Sequence, residues 1–376
     1  MIVILTNIPS PYRTAFFDDL HAQSAQFGET VHVLYCAPSE PNRFWGYHPE
    51  EMKHPHTMMP GWHFQIRGWF SHLNLSVLKE LKRLKPTTLI VGGAWNTPTI
   101  LLAGLSRINP PPRRLFWSEG HAKAVTHRTG PIAWVRRRCY QKYQAFAVPN
   151  QLSADWALAQ AGEPKPVVIL PNSVDVDFYS RNDPSDRSRA RRKLDLPEDI
   201  RLLVQVGTLC SRKGTLELAQ AFLNLSKAER ANARLVFVGS GPLEFELKTL
   251  AEKSEGGIQL LGQMDTEGVR QILLAANVFV LNTKKDPNPL SPIEASAAGL
   301  TVLLSSMAGN VKEIITAGDA GLIIDDPMNP TAALRWVLSR PDEELEIIGQ
   351  RARAHARNTF STKAVAKRLL EQLVSQ

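Results

Sequence analysis

The sequence has few cysteines and no long apolar run. Its three cysteines, Cys36, Cys139 and Cys210, lie far apart in a chain of 376 residues, with no Cys-x-x-Cys pair. This spacing argues against a disulfide framework and against a zinc site. No apolar run reaches the ~18 residues that cross a bilayer. The first residues also lack the basic start and cleavage site of a secretory leader. We therefore expect a cytoplasmic protein.

A Gly-x-Gly-x-x-Gly loop is also missing, which weighs against a dinucleotide-dependent oxidoreductase. The sequence has no nucleic-acid recognition motif and no aromatic-rich platform for RNA. Its formal net charge is nevertheless +8, which favours anionic partners such as phosphorylated ligands or an anionic membrane face. The charge alone also permits nucleic acid, but the missing motifs lead us to expect no nucleic-acid partner.

The residues that are present suit two α/β domains. Hydrophobic residues make up 43% of the chain and charged residues 21%, and the length fits two domains of about 150 to 200 residues. A strand, a turn and a helix open the chain from residue 2, and the same order starts again at Arg201. We predict doubly wound parallel sheets with a domain boundary near residue 180. The basic run at residues 180–193 indicates a linker and an exposed helix.

One loop in the second half carries the strongest functional pattern. An apolar strand at residues 276–282 leads into Asp286-Pro-Asn-Pro-Leu-Ser-Pro-Ile-Glu294, and an Ala-rich helix follows as far as Gly299. The start of a helix presents free amides, here those of Leu290 and Ser291, and so favours phosphate groups. Asp286 and Glu294 flank the loop, and carboxylates beside a phosphate site suit the hydroxyls of a sugar. The pattern indicates a nucleotide-sugar site, although an ordinary turn built on Asp-Pro and Asn-Pro also fits it.

This loop resembles the acidic-x7-acidic motif of glycosyltransferase family 4, a family of retaining enzymes with the GT-B fold. The usual form is Glu-Pro-Phe-Gly-Leu-x-x-x-Glu-Ala-x-Ala-x-Gly. Here Asp286 replaces the first Glu and Pro289 replaces the Gly, which removes one amide. Four further matches follow in the order of the family: Pro171-Asn172, Lys213-Gly214, the loop from Gly239 to Pro242, and Gly262. The resemblance covers nearly the whole chain and is strongest over residues 200–325.

The resemblance implies two Rossmann-like domains that face a central cleft. Residues 1–180 are expected to bind the acceptor, and residues 181–358 are expected to bind the nucleotide sugar. Residues 359–376 are expected to form a helix that crosses back to the first domain. The substrate that varies within the family would then meet the less similar half of the chain.

In the second domain the resemblance implies a donor site. Lys213 would neutralise the diphosphate, with Arg212 as a substitute for the family's Arg, because Thr208 stands where that Arg is usual. Asp286 would hold the hydroxyls of the sugar, and Glu294 those of the ribose. The other expected donor contacts are Thr208 itself, Gly239 and Gly241 of the glycine loop, Leu290 and Ser291, and, for the nucleobase, Gly262, Gln263 and Met264.

In the first domain the resemblance implies two groups. Pro11, Tyr12 and Arg13, in the turn after the first strand, are expected to contact the acceptor. Glu119 and His121 follow the strand at residues 114–118, and ligands of such folds bind at the carboxyl ends of parallel strands. We expect them to be catalytic together with Lys213 and Asp286. A plain turn and the start of a helix would explain the same residues of the first domain without any function.

The implied reaction transfers a sugar from a nucleoside diphosphate to a hydroxyl of a glycan or lipid-linked acceptor, with retention at the anomeric carbon. In this family the leaving phosphate helps to deprotonate the incoming hydroxyl, so neither a metal nor another cofactor is expected. The product would be a polysaccharide, a lipopolysaccharide or a glycolipid. Two alternatives stay open. One is a nucleotide-sugar epimerase of the same fold, and the other is a binding protein in which Thr208, Asp286 and Pro289 mark a decayed site.

A basic amphipathic helix is predicted at residues 132–143. Apolar Ile132 and Val135 share one side of it, whereas Trp134 and Arg138 fall on another. Such a helix either docks on anionic lipid or is simply a solvated face. Docking would make the protein peripheral at the inner face of a membrane.

Overall fold

The computed structural model describes residues 1–41, 46–66, 69–122, 125, 127–181, 183 and 185–375. Within this range the chain divides into two compact units. The first is Met1–Ser173 together with the segment from Thr362, and the second is Val174–Ser361. Each unit is built on one parallel sheet with helices on both faces, so the predicted α/β class with two doubly wound sheets is confirmed.

Seven parallel strands form the first sheet, and most of them are buried apolar runs, as expected where helices cover both faces. The strands are β1 (Ile2–Thr6), β2 (Val31–Tyr35), β3 (His56–Met58), β6 (Thr88–Gly92), β7 (Arg113–Trp117), β8 (Ala145–Val148) and β9 (Val167–Ile169). Between β3 and β6 the chain forms an antiparallel hairpin of β4 (Trp62–Ile66) and β5 (Trp69–Leu73). The order in the sheet is β3-β2-β1-β6-β7-β8-β9. Successive strands are thus added to one side of β1 as far as β3 and to its other side from β6 onward.

The helices of the first unit lie in two layers. One face of the sheet carries α1 (Pro11–Ser24) and α15 (Thr362–Val374), which pack against each other. The other face carries α2 (Val77–Leu84), α3 (Pro98–Leu105), α4 (Gly130–Gln141) and α5 (Gln151–Ala161). Proline in the first turn starts α1, α3 and α4, where its missing amide does no harm. Asn150 caps α5 by accepting a hydrogen bond from the amide of Ser153.

The second unit repeats the design with six parallel strands. They are β10 (Arg201–Val206), β11 (Ala233–Val238), β12 (Ile258–Gly262), β13 (Val278–Leu281), β14 (Thr301–Ser305) and β15 (Gly321–Ile324). Their order is β12-β11-β10-β13-β14-β15, so the order in which strands are added to the sheet reverses between β10 and β13, although all strands stay parallel. In open sheets of this kind the carboxyl edge at the reversal forms the crevice that receives ligands.

Helices cover both faces of the second sheet too. One layer consists of α6 (Val176–Tyr179), α7 (Asp186–Lys193), α11 (Thr266–Ala275), α12 (Ser291–Ala297) and α14 (Asp342–Thr359). The other consists of α8 (Thr215–Leu223), α10 (Glu244–Lys253) and α13 (Thr331–Leu338), with α9 (Lys227–Arg230) beside α13. No helix in the described part of the chain is long and apolar enough to cross a membrane.

The division between the units lies at residue 173, seven residues before the boundary that the sequence suggested at 180. Val176 and Tyr179 of α6 are buried in the core of the second unit, which explains why residues 174–180 belong to it. At the other end Phe360, 1% exposed, is buried in the same core, so the second unit runs to Ser361 instead of residue 358.

The basic helix α7 is less exposed than its charge predicts. Arg191 is 2% exposed. Its guanidinium donates to the carbonyl of Ala275 at 3.0 Å, to that of Pro197 at 3.1 Å and to Asn277 Oδ1 at 2.7 Å. A run of charge usually marks a solvated face, but the five donors of an arginine allow burial where acceptors converge on it.

Substitution of Leu369 tests how far the first unit depends on α15. Leu369 is fully buried in the cluster that α1 and α15 form on the first sheet, so Leu369→Ala should lower the free energy of unfolding of this unit by about 2–5 kcal/mol. In hydrogen exchange, β1 and β2 should lose protection while β10 and β13 keep theirs. Val374→Ala is the control, because Val374 is 59% exposed. Loss of protection confined to the second unit would contradict the prediction.

Candidate functional site

Two loops at the carboxyl edge of the second sheet pack backbone to backbone. They follow the neighbouring strands β10 and β11, and the amide of Leu209 donates to the carbonyl of Ser240 at 3.0 Å. Gly239 has a φ of +133°, and a Cβ on it would lie 2.1 Å from the carbonyl oxygen of Gly207. A Cβ on Gly241 would lie 2.4 Å from the carbonyl oxygen of Leu209. The two glycines are therefore required by this close approach, whatever ligand they contact.

A third loop, after β13, holds the short turn at Ser211–Lys213. Thr283 Oγ1 donates to the carbonyl of Arg212 at 3.0 Å. Gly214 ends the turn with a φ of +63°, and a Cβ on it would lie 1.9 Å from the carbonyl oxygen of Asn282. The two residues of the Lys-Gly motif thus have separate roles. Gly214 allows the two loops to approach each other closely, and this contact sets the position of Lys213.

Lys213, Arg212 and Asp286 form one charge cluster where these loops meet. Lys213 Nζ donates to Asp286 Oδ2 at 2.5 Å, and the guanidinium of Arg212 donates to the same oxygen at 3.2 Å. Lys213 and Asp286 are each 8% exposed, whereas the Arg212 side chain is 47% exposed. Two cations on one carboxylate leave a net charge of +1. The cluster therefore still favours an anionic group at the sheet edge.

The loop from Asp286 to Leu290 is fixed by the segment that follows β14. The amide of Gly309 donates to the carbonyl of Asp286 at 2.8 Å, and the side-chain amide of Asn310 donates to the carbonyl of Pro289 at 2.9 Å. Within residues 185–375, the amides of Leu290 and Ser291 donate to no backbone carbonyl, as is usual at the start of a helix. These two amides are thus available to a ligand at the end of the loop that starts at Asp286 of the charge cluster.

Glu294 on α12 is bonded to a residue that the sequence pattern did not single out. The hydroxyl of Tyr179 on α6 donates to Glu294 Oε1 at 3.0 Å. Burial raises the pKa of Glu294 to about 7, and the bond from Tyr179 offsets part of this effect because it stabilises the charged form. Glu294 consequently changes its charge near neutral pH, while the hydroxyl of Tyr179 donates to its carboxyl group.

The end of β12, expected to receive the nucleobase, lies beside the glycine loop. The amide of Gly239 donates to the carbonyl of Gly262 at 2.7 Å, so that carbonyl is already engaged. Gln263 Oε1 accepts from Ser240 Oγ at 3.2 Å, and Met264 packs on the core. Thr208, in the first loop, is exposed. The remaining expected donor residues therefore line the same sheet edge as the charge cluster.

A second polar group lies at the carboxyl edge of the first sheet. The guanidinium of Arg13 donates to Glu119 Oε1 at 2.8 Å, to Thr6 Oγ1 at 3.1 Å and to Tyr12 Oη at 3.3 Å. It also lies 4.4 Å from the ring of Trp117. Burial alone would lower the pKa of Arg13, but the neighbouring Tyr12 and Glu119 raise it above its ordinary value. The arginine is permanently charged and fixes the position of Glu119.

Three of the five residues predicted for this group are thus brought together, namely Tyr12, Arg13 and Glu119. Pro11 starts α1 and is exposed. His121, by contrast, is only 2% exposed. Its burial sets it apart from Glu119, whose side chain is 34% exposed.

Tyr179, Thr6 and Asn310 are the contributors that the sequence did not reveal. Tyr179 lies 115 residues from Glu294 in sequence, and Asn310 lies 21 residues from Pro289. Each makes its bond through the fold and not through a local motif. Only the position of Tyr179, just after the Pro171-Asn172 match, offered a signal.

The raised pKa of Glu294 predicts a pH-dependent stability. A carboxyl that titrates near 7 in the folded state and near its ordinary 4.5 in the unfolded state binds more protons when folded between these values. The free energy of unfolding should then fall by up to about 3 kcal/mol as pH rises from about 4.5 to above 7. Urea denaturation at several pH values should show this fall in the natural protein relative to Glu294→Gln.

Tyr179→Phe supplies the matched control. It removes the bond that favours the charged form, so the fall should extend to higher pH. A difference between the natural protein and Glu294→Gln that stays constant from pH 5 to 8 would contradict the assignment.

Comparison with known proteins agrees with the resemblance in the second unit. Residues 186–355 match the family model described as "Glycosyl transferases group 1". The chain is 29% identical over 218 residues to the lipopolysaccharide 1,2-N-acetylglucosaminetransferase of Salmonella typhimurium, covering 55% of this chain and 56% of that one. It is 30% identical over 216 residues to the lipopolysaccharide glucosyltransferase WaaG of Escherichia coli, covering 56% and 57%. The chain thus spans little more than half the length of these relatives.

A solved structure resembles the whole chain. The crystal structure of Anabaena Alr3699/HepE in complex with UDP and glucose superimposes with a TM-score of 0.73 at 16% identity, covering 100% of this chain and 99% of that one. At this identity the likeness shows the fold. The chain therefore has the GT-B fold, and most of its second unit matches the group 1 glycosyl transferases.

Proposed function

We propose that the protein is a retaining glycosyltransferase of family 4, which transfers a sugar from a nucleoside-diphosphate donor to an acceptor hydroxyl. The observation that carries the proposal is the charge cluster of Lys213, Arg212 and Asp286 at the reversal of the second sheet, inside the segment that matches group 1 glycosyl transferases. Such a sheet edge with a net positive charge suits a diphosphate, and the carboxylate suits sugar hydroxyls.

Each part of the donor has a proposed partner in the second unit. Lys213 and Arg212 bind the diphosphate, helped by the amides of Leu290 and Ser291. Asp286 binds hydroxyls of the transferred sugar, and Glu294 binds those of the ribose. The ribose hydroxyls take the place of Tyr179 as donors, or join it, on the Glu294 carboxylate. The nucleobase lies against Gly262, Gln263 and Met264.

The proposed reaction needs little from the protein beyond charge and position. The oxygen of the acceptor hydroxyl bonds to the anomeric carbon as the bond from that carbon to the phosphate oxygen breaks. The electron pair of the broken bond leaves with the diphosphate, and the hydroxyl proton passes to the same phosphate. Lys213 and Arg212 stabilise the charge that develops on the leaving group, which lowers the barrier. No metal and no other cofactor take part in this scheme.

The first unit is proposed to supply the acceptor side. Arg13 holds Glu119 in position, and Glu119 with Tyr12 presents polar atoms to a hydroxyl of the acceptor. Pro11 is exposed beside Tyr12, and His121, two residues after Glu119, is buried. The acceptor is a glycan or a lipid-linked glycan, since both curated relatives named above act in lipopolysaccharide synthesis. A place at the cytoplasmic face of a membrane fits such an acceptor.

Binding of nucleoside diphosphates tests the donor site. At a ligand concentration of about 100 times Kd, the gain of about 2.7 kcal/mol should raise the melting temperature of a unit of this size by about 5–10 °C. Lys213→Ala should abolish the shift, whereas Lys248→Ala should keep it because Lys248 is exposed on α10 and pairs only with Glu244 among the described residues. A panel of nucleotide sugars, with mass spectrometry of the products, then identifies the donor. No shift with any diphosphate would overturn the proposal, and an epimerised nucleotide sugar would replace it with the epimerase.

The ion pair between Lys213 and Asp286 predicts an opposite effect on binding and on turnover. A bound diphosphate must compete with Asp286 for the lysine, so Asp286→Asn should tighten the binding of the diphosphate alone, by about tenfold. The same change removes the acceptor of the sugar's hydroxyls, so the rate of transfer should fall. Calorimetry and a transfer assay measure the two effects. Weaker diphosphate binding by this variant would show that Asp286 does not compete for Lys213.

A further inference from the structure

We propose that the hairpin of β4 and β5 binds a divalent transition-metal ion between His63 and His72, with Cu²⁺ and Ni²⁺ as the preferred ions. These two histidines, together with Glu40 behind His72, form what we call the hairpin histidine site. The site belongs to the first unit, and the ion takes no part in the proposed transfer of a sugar.

The two histidines lie directly opposite each other in the antiparallel pair of strands. His63 is on β4, and its partner in the register is His72 on β5. Opposed side chains leave a hairpin on the same face, with Cβ atoms about 4.5–5.5 Å apart. The Nδ1 atoms of the two rings are 3.0 Å apart. Imidazole nitrogen suits Zn²⁺, Cu²⁺ and Ni²⁺, so the pair offers two ligand atoms to one ion.

Glu40 orients the ring of His72 from its other side. His72 Nε2 lies 3.1 Å from Glu40 Oε1. An ionised carboxylate can only accept a hydrogen bond, so Nε2 carries the proton, and Nδ1 of the neutral ring presents its lone pair towards His63. A carboxylate bonded to the second ring nitrogen is the usual arrangement behind a metal-binding histidine, because it fixes the tautomer and raises the basicity of the ligand.

The site combines one fixed ligand with one accessible ligand. The side chain of His72 is 2% exposed, and the carbonyl of His72 accepts from Thr99 Oγ1 at 2.8 Å. Two residues further on, the side-chain amide of Asn74 donates to the carbonyl of Cys36 at 2.8 Å, which ties the end of the hairpin to the segment after β2. His63 is exposed, so an ion can reach the site from solvent.

The distance between the two nitrogens indicates which ions fit best. Two nitrogens that bind one ion at about 2.0–2.1 Å are about 2.9 Å apart at a right angle and about 3.3 Å apart in a tetrahedron. The observed 3.0 Å is closer to the right angle. Right-angled pairs belong to square-planar and octahedral sites, which Cu²⁺ and Ni²⁺ favour, and water would supply the remaining ligands.

A bound ion would stabilise a weak part of the fold. The strands β4 and β5 form a two-stranded sheet of their own and are not paired with the seven-stranded sheet. A sheet of two strands is marginally stable by itself. An ion bonded to one histidine of each strand would cross-link the hairpin and favour its closed form.

Two other groups of possible ligands fit an ion less well. His54 has both ring nitrogens engaged, one with Asp18 at 2.6 Å and the other with the hydroxyl of Tyr35 at 2.9 Å. His48 lies close to the carboxylates of residues 50 and 51, but all three groups are exposed. Ordering exposed side chains around an ion costs conformational entropy, whereas His72 is already fixed.

Calorimetric titration tests the proposal on the full-length protein, prepared without a histidine tag and treated with a chelator. The tightest site should hold one Cu²⁺ or Ni²⁺ ion per chain, with Cu²⁺ bound more tightly, and Mg²⁺ should not compete. His63→Ala should lower the affinity by at least about tenfold, because the chelate is lost. Glu40→Gln should lower it by about tenfold, because the ring of His72 is held less well. The electron paramagnetic resonance spectrum of the Cu²⁺ form should show coupling to two imidazole nitrogens, and to one in His63→Ala.

Hydrogen exchange shows whether the ion joins the two strands. With Ni²⁺ at about 100 times Kd, the amides of β4 and β5 should exchange up to about 100-fold more slowly, because the ion binds only the closed hairpin. Amides of β1 and β2 should keep their rates. In His63→Ala the ion should change neither set. His63 is exposed, so this variant should fold, and circular dichroism checks that it does.

His127→Ala and His48→Ala are the matched controls. His127 is an exposed histidine on the segment before α4, and His48 belongs to the exposed group near Glu50. Both variants should bind Ni²⁺ like the natural protein.

Three results would overturn the proposal. The first is no binding of Cu²⁺ or Ni²⁺, which would leave an ordinary hydrogen bond between the two rings. The second is equal affinity in His63→Ala and the natural protein, and the third is loss of binding in His48→Ala alone. None of these measurements involves a nucleoside diphosphate, so failure here and failure of the donor site are distinguishable.

Discussion

The ion pair between Lys213 and Asp286 is the interaction around which the second unit's sheet edge is arranged. The two residues are 73 positions apart in sequence. They meet because β10 and β13 are neighbours and because Gly214 has no side chain that would keep the two loops apart. A lysine that is 8% exposed requires a partner, since an unpaired charge in this setting is costly. Asp286 provides that partner when no ligand is bound. In the proposed donor site a diphosphate would take over this role from Asp286.

Much of the fold and of the loop positions follows from sequence, but the contacts within the site do not. Buried apolar strands and glycine turns predicted both doubly wound sheets, because burial on two faces leaves a plain pattern. The apolar strand before Asp286 and the Ala-rich helix that ends at Gly299 predicted a loop between them. The bond from Tyr179 to Glu294 was beyond reach, because it depends on how α6 packs against α12. Arg191 shows the opposite failure, since the nearby Arg189 and Arg192 are exposed and only the acceptors that converge on Arg191 from outside α7 explain its burial.

The two units differ in how they hold charge. In the second unit two cations, buried Lys213 and half-exposed Arg212, donate to one carboxylate. In the first unit one arginine, Arg13, is fixed in a similar way, and exposed cations such as Arg137 and Arg138 lie on α4. Fixed, desolvated charge suits recognition of a defined group, and dispersed, hydrated charge suits a broad surface. The proposed donor site makes use of the fixed kind of charge.

The position of α15 has a consequence for the order of events on the ribosome. The second unit is one continuous stretch of chain, whereas the first unit takes Val365, Leu369 and Leu370 from a helix that is synthesised after the second unit. Translation therefore supplies every residue of the second unit before it supplies the helix that completes the first unit's core. The core of the first unit is therefore completed after that of the second. Until α15 is made, the apolar side of α1 stays uncovered, and chaperones that bind nascent chains would cover it.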